Sequence, residues 1–271
     1  MENINWQIQT SEPLFPDTIW DKPENKKHAN SLLIIGGNST SFNFVSKGYD
    51  YAQKIILSNI SLVLPKPLEQ LTKNMITDCF YGVVNNSGGY NLENLGLFNE
   101  LAETNNNIVL IGNFGDSSET HLLIEKFINS TKDKLFIITN DAIDFLTSQI
   151  LENEPNKFLL LAELTQVQKL IKNLKRTQNF KSSDNLYKIL QVIKELTSDY
   201  NLKLISKIND SIYVFSDNKI SSTKVTTLNE SWQTTLSIEC SSWIKYESNK
   251  QFENLTTAVY QNIKSGAARR T

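Results

Sequence analysis

The sequence predicts an α/β protein with a mostly parallel central sheet and helices on both faces, a three-layer α/β/α arrangement. Three observations carry this. Apolar runs of strand length alternate repeatedly with segments of helical spacing. Three of those runs end in glycine, asparagine or aspartate just before the next helix, at "IIGGN", "LIGNFGD" and "IITND". Late in the chain, "SDNK" separates two strand-like runs, which reads as a hairpin and adds an antiparallel edge.

The 271 residues suit one large domain of this class. Residues 1–30 read as an irregular arm packed on the domain. Pro13, Pro16 and Pro23 break any helix there, and Trp6, Phe15 and Trp20 are expected to pack inward. The domain itself spans 31–265, and 266–271 are expected to be a flexible tail. Its first strand is 32–36. A helix follows over 41–58, with Phe44, Tyr51, Ile55 and Ile56 on one side. A short strand, 61–65, closes on Pro65, and Pro67 opens a helix in "PLEQLTKNMI". "FYGVV" is a third strand, "NNSGGYN" a loop, 92–103 a helix and 107–112 a buried strand.

Gly112 ends that strand, Gly115 and Asp116 make the turn, and Ser117 or Ser118 can cap the next helix. Strand 135–138 leads to a cap at Asn140 or Asp141, and strand 158–161 repeats the unit. An amphipathic helix over 184–200 precedes strand 203–207. Hairpin strands 211–215 and 220–225 follow, and helices at about 231–245 and 251–264 close the chain. Ligands of such sheets sit beyond the carboxyl ends of the strands, which selects the loops after 35, 111, 138, 161 and 207.

Composition excludes several functions. The formal net charge is −2 and the lysines and arginines are scattered, so there is no basic face for nucleic acid. No apolar run approaches membrane-spanning length and no signal peptide opens the chain, so a cytoplasmic protein without membrane contact is expected. Cys79, Cys240, His28 and His121 have neither the spacing of a zinc site nor that of a disulfide framework, and no metal ligand is expected.

The loops supply the candidate site. Gly36 and Gly37 allow close backbone approach to a phosphate, with Asn38 and Ser39 as donors; the alternative is a turn that simply needs glycine. Asp116 can meet a ribose or magnesium, or act only as partner to a helix dipole. Asp141 can be an acid or a cap. Lys207 ends a strand where it can meet a phosphate or remain solvated. Trp232 and Trp243, eleven apart, share one helix face and read as packing.

In this order, "LLIIGGNS", "VLIGNFGDSSET", "LFIITNDAIDFL" and "LKLISKINDSIYVFSDNKISSTK" resemble the ribokinase-like family of ADP- or ATP-dependent NAD(P)H-hydrate dehydratases, over about residues 20 to 263. The resemblance implies a ribokinase-like domain. It also implies phosphate transfer from ADP or ATP, with Mg, to the hydroxyl of hydrated NADH or NADPH, followed by elimination. In that family the base and the anion hole come from a Gly-(Ser/Thr)-Gly-Asp turn at the start of a late helix.

Here the matching segment is "WQTTLSIECSSWIKY", with Leu236, Ser237 and Ile238 before Glu239. A β-branched residue resists the positive φ that anion holes commonly use. The family's Thr-Pro-His-Pro-Gly-Glu stretch becomes "LAELTQ" (161–166). Only ten glycines remain, well under the usual share of roughly 7%.

The expectation is therefore a degenerate dehydratase-like protein. It would keep weak nucleotide or dinucleotide binding through Gly36, Gly37, Asn38, Ser39, Gly112, Gly115, Asp116, Asn140, Asp141 and Lys207. Two alternatives stay open. One is an active NAD(P)H-hydrate dehydratase, a lyase, with Glu239 as base. The other is a non-catalytic interaction or assembly module, a homo-oligomer included.

Overall fold

The structure, a computed structural model, describes residues 4, 6–76, 78–225, 228–246 and 249–268. Strands β1 (Trp6–Gln9), β2 (Leu32–Gly36), β3 (Ile60–Pro65), β4 (Cys79–Gly82) and β5 (Asn107–Ile111) come from the first half of the chain. The second half supplies β6 (Leu135–Thr139), β7 (Phe158–Glu163), β8 (Lys203–Ile208), β9 (Ser211–Ser216) and β10 (Lys219–Lys224). All ten join one sheet in the order β1-β10-β9-β8-β7-β6-β5-β2-β3-β4. Among them only β9 runs antiparallel to its neighbours. The five expected parallel strands stand side by side as β8-β7-β6-β5-β2.

Side chains alternate across the sheet, as strand geometry requires. Ile108 and Leu110 of β5 face a core layer with α3 (Leu95–Thr104), α4 (Ser118–Ser130), α5 (Ser148–Asn153), α6 (Leu164–Asn173) and α7 (Leu186–Asp199). Val109 and Ile111 face the opposite layer, built from α1 (Asn43–Ala52), α8 (Trp232–Trp243) and α9 (Gln251–Ala268). Both faces of the central strands are buried, which is why they read as continuous apolar runs.

Three expectations change. The arm is not irregular throughout: β1 pairs in parallel with β10. Trp6 donates its indole N–H to Ser222 Oγ at 2.9 Å, and Gln9 donates its amide to Thr223 Oγ1 at 2.9 Å. Trp20 does not pack inward but is 81% exposed. The helix expected after Pro67 is a 3₁₀ turn, Lys66–Leu68, and one α-helical turn, α2 (Glu69–Thr72). Leu71 and Met75 are exposed there, so no apolar face lengthens it. At the other end α9 runs on to Ala268, and 269–271 of the expected tail lie outside the described residues. Among the described residues no helix is long and apolar enough to cross a membrane.

Candidate functional site

The carboxyl ends of β2, β5 and β6 bring three of the expected loops together. Gly37 has φ +78, and its N–H donates to Gly112 O at 3.3 Å. The next residue folds the chain back on itself. Asn38 Oδ1 accepts from Thr40 N at 2.9 Å, Thr40 Oγ1 at 2.8 Å and Ser41 N at 3.0 Å. That carbonyl is spent on its own turn. Ser39 N donates to Gly88 O at 2.8 Å, so the turn is braced from the side.

Gly112 is needed for close approach: a Cβ there would fall 1.8 Å from Asp141 Oδ1. That oxygen accepts from Asn113 N at 2.5 Å, and Asn113 Nδ2 donates to Ser41 Oγ at 3.1 Å. Asp141 is exposed as a residue, but its carboxyl lies against Gly112. Lost water on that side pushes its pKa above the ordinary carboxylate value, and the Asn113 N–H opposes the shift. Asn140 adopts φ 55, and its amide donates to Thr139 Oγ1 at 2.9 Å. Gly115, at φ +78, has open space around it, and Asp116 is exposed. Lys207 is half-buried and stands in register with Glu163 across β8 and β7.

The first turn of α8 reaches the same edge. Trp232 donates its indole N–H to Glu163 Oε1 at 2.5 Å. Gln233 Nε2 donates to Leu161 O and to Gln166 Oε1, both at 2.7 Å. Gln166 Oε1 also accepts from Glu163 N at 2.7 Å, half of a capping box that starts α6. Trp232 and Gln233 are both buried. Sequence reasoning missed this quartet. The signal available was the Glu-x-x-Gln spacing in "LAELTQ", which is a helix-start pattern.

Glu239 is not at this site. Helix α8 begins at Trp232, so Glu239 lies two turns inside it, and a turn opening the helix would have to be 229–232. The far end of α8 is fixed at the amino-terminal edge of the sheet. There the amides of Asn30, before β2, and Asn107, at the start of β5, donate to Ser241 O and Ile244 O. Glu239 is 4% exposed, and its carboxylate is held by three donors: Lys22 Nζ at 2.7 Å, Tyr51 OH at 2.9 Å and Trp243 Nε1 at 2.7 Å. Burial, then the Glu239 charge, pushes the Tyr51 hydroxyl well above the ordinary tyrosine value. Glu239 thereby ties together the arm, α1 and α8.

Across this architecture the chain superimposes on solved structures over nearly its whole length. A ribokinase-like superfamily protein of Enterococcus faecalis V583 matches with a TM-score of 0.73 and 12% identity, covering 100% of this chain and 90% of that one. The fold is ribokinase-like. The ADP/ATP-dependent NAD(P)H-hydrate dehydratase of Bacillus subtilis, co-crystallised with ATP/Mg2+, matches with a TM-score of 0.65 at 11% identity, covering 96% of this chain and 90% of the enzyme. A phosphomethylpyrimidine kinase of Clostridium difficile 630 matches at 0.57 and 12% identity, over 88% of this chain and 99% of the kinase. No family model matches the sequence, and no curated protein matches it.

Proposed function

We propose that this ribokinase-like chain is a degenerate dehydratase-like protein that binds an adenine nucleotide or dinucleotide weakly and does not transfer phosphate. One observation carries the reading: at the start of α8, where an anion would need free backbone N–H groups, Ser231 N donates to Asn229 Oδ1 at 3.0 Å and Trp232 N to Asn229 O at 3.2 Å. Phosphoryl transfer rests on positioning and electrostatic stabilisation, and losing one preorganised donor can cost on the order of 100- to 1,000-fold. Glu239 is also held by three donors, Lys22, Tyr51 and Trp243, away from that turn, which supports a protein without the family's base.

Nucleotide binding is supported by what remains. Gly36, Gly37 and Gly112 let the loops after β2 and β5 pack closely at the carboxyl edge, where ligands of such sheets sit, Gly115 has open space around it, and the Bacillus subtilis dehydratase of the same fold was crystallised with ATP/Mg2+. Among the described residues no group of three or more His, Cys, Asp or Glu is placed to hold a metal ion. No step through a metal is assigned.

The test is a thermal-shift series with ADP, ATP, AMP, NADH and NADPH, joined to an assay of hydrated NADH with ATP or ADP and magnesium. A ligand at 100 times its dissociation constant adds about 2.7 kcal/mol, which is readily seen. The expected result is a shift with nucleotide and no return of nicotinamide absorbance. Turnover would overturn the reading. A series with no shifts would favour an interaction module on the same scaffold.

A further inference from the structure

Two lysines are buried at the amino-terminal edge of the sheet, and they are treated differently. Lys157, just before β7, has a full set of acceptors: Ile128 O at 2.6 Å, Thr131 O at 2.5 Å and Glu154 Oε2 at 3.0 Å. Lys203, the first residue of β8, is 3% exposed and has one, Asn156 O at 2.8 Å. It has no ion pair among the described residues. An ammonium carries three donors, so two N–H groups of Lys203 lack a protein acceptor.

Those donors lie in a small polar well of about 60 Å³, lined by Asn156, Asn201, Lys203, Ser216, Asp217 and Asn218. The well is held by fixed backbone. Asn156, Asn201, Asp217 and Asn218 all have left-handed conformations, and Asn156 N donates to Asn201 O at 3.0 Å. The nearest negative charge, Asp217, is exposed, and its carboxylate accepts from Ser216 Oγ at 3.1 Å. The carboxamides of Asn156 and Asn201 have no hydrogen-bond partner among the described residues. The volume exceeds the roughly 30 Å³ share of one water, so there is space for a group larger than water.

We propose that this well is an anion site in which Lys203 Nζ binds a small oxyanion or the carboxylate of a small acid. A buried ammonium with a single acceptor and no ion pair is costly, and a bound anion supplies a further acceptor and a countercharge together. Burial lowers the Lys203 pKa to about 8, with the Asp217 charge opposing the shift. The site is at the opposite edge of the sheet from the nucleotide loops and does not depend on the function proposed for them.

The probe is sodium formate, titrated into the full chain at neutral pH. A bulky sulfonate holds the ionic strength constant, since it is too large for the well. The expected result is a saturable rise in melting temperature that is absent in Lys203→Met, a substitution that keeps most of the volume and removes the charge. No formate-dependent rise in the natural protein, or an equal rise in Lys203→Met, would overturn the proposal. Should that variant fail to fold, crystals of the natural protein soaked in bromide decide the matter. Anomalous density beside Lys203 Nζ supports the site, and its absence rejects it.

Discussion

The Trp232 indole N–H donates to Glu163 Oε1 and thereby ties the first turn of α8 to the N-cap of α6. The bond spans two helices on opposite faces of the sheet, so it fixes the carboxyl edge as much as it closes it. Trp232→Phe keeps the ring packing and removes the donor. The expected cost is about 1–2 kcal/mol, read as a lower urea midpoint with an unchanged slope. A stability equal to that of the natural protein would show that Glu163 is satisfied without the indole.

Glu239→Gln is predicted to destabilise the protein and to leave ligand binding alone. The substitution weakens the acceptor of Lys22, Tyr51 and Trp243 and leaves the Lys22 charge without its countercharge. Lys22 keeps about a quarter of its side chain in solvent, so the penalty should be about 2 kcal/mol rather than that of a fully buried pair. The check is a urea titration beside the nucleotide thermal-shift series. A lost nucleotide shift in a folded Glu239→Gln protein would return this carboxylate to the site.

The position of Glu239 inside α8 shows where sequence legibility ends. The strands from β2 to β8 in the middle of the sheet are legible because burial on both faces requires unbroken apolar runs such as "LLII" and "IVLI". Helix α8 is just as buried but carries Thr, Ser, Gln and Glu, so its apolar periodicity is faint. Its serine hydroxyls are satisfied within the helix: Ser237 donates to Thr234 O, Ser241 to Ile238 O and Ser242 to Glu239 O. The helix is expected at about 231–245 and begins at Trp232, so the acid matched to the motif, Glu239, falls two turns inside it. Strand β1 was hidden for another reason. It has only four residues, "WQIQ", and its partner β10 is more than 200 positions away.

Gly112→Ala tests how the remaining loops are held. The added methyl would overlap Asp141 Oδ1, which must then leave the Asn113 N–H. Overpacking of this kind costs typically 1–3 kcal/mol, so a destabilisation of about 2 kcal/mol is expected. If Asp141 helps to shape the nucleotide site, the ATP-induced thermal shift should shrink in the same variant. An undisturbed shift would remove the Gly112 loop from the site.

Lys203 makes a prediction about pH whose sign follows from its burial. Its folded-state pKa is lowered to about 8 from 10.5 by desolvation, with Asp217 opposing the shift. Below pH 8 the lysine is charged in both folded and unfolded chains, and the folded protein bears the full cost of the buried charge. Between 8 and 10.5 the folded protein releases the proton while the unfolded chain keeps it. The unfolded state then binds more protons, so stability rises with pH and the gain is complete only above 10.5. Lys203→Met lacks this term. The stability of the natural protein relative to that variant should therefore climb by up to about 3 kcal/mol across the window in anion-free buffer. Lys157, also lowered by burial, is common to both proteins and cancels. Formate should flatten the climb, because an anion in the well favours the charged lysine. A difference that stays level from neutral pH to above 10.5 without anions would mean that Lys203 is not buried as a charge at all.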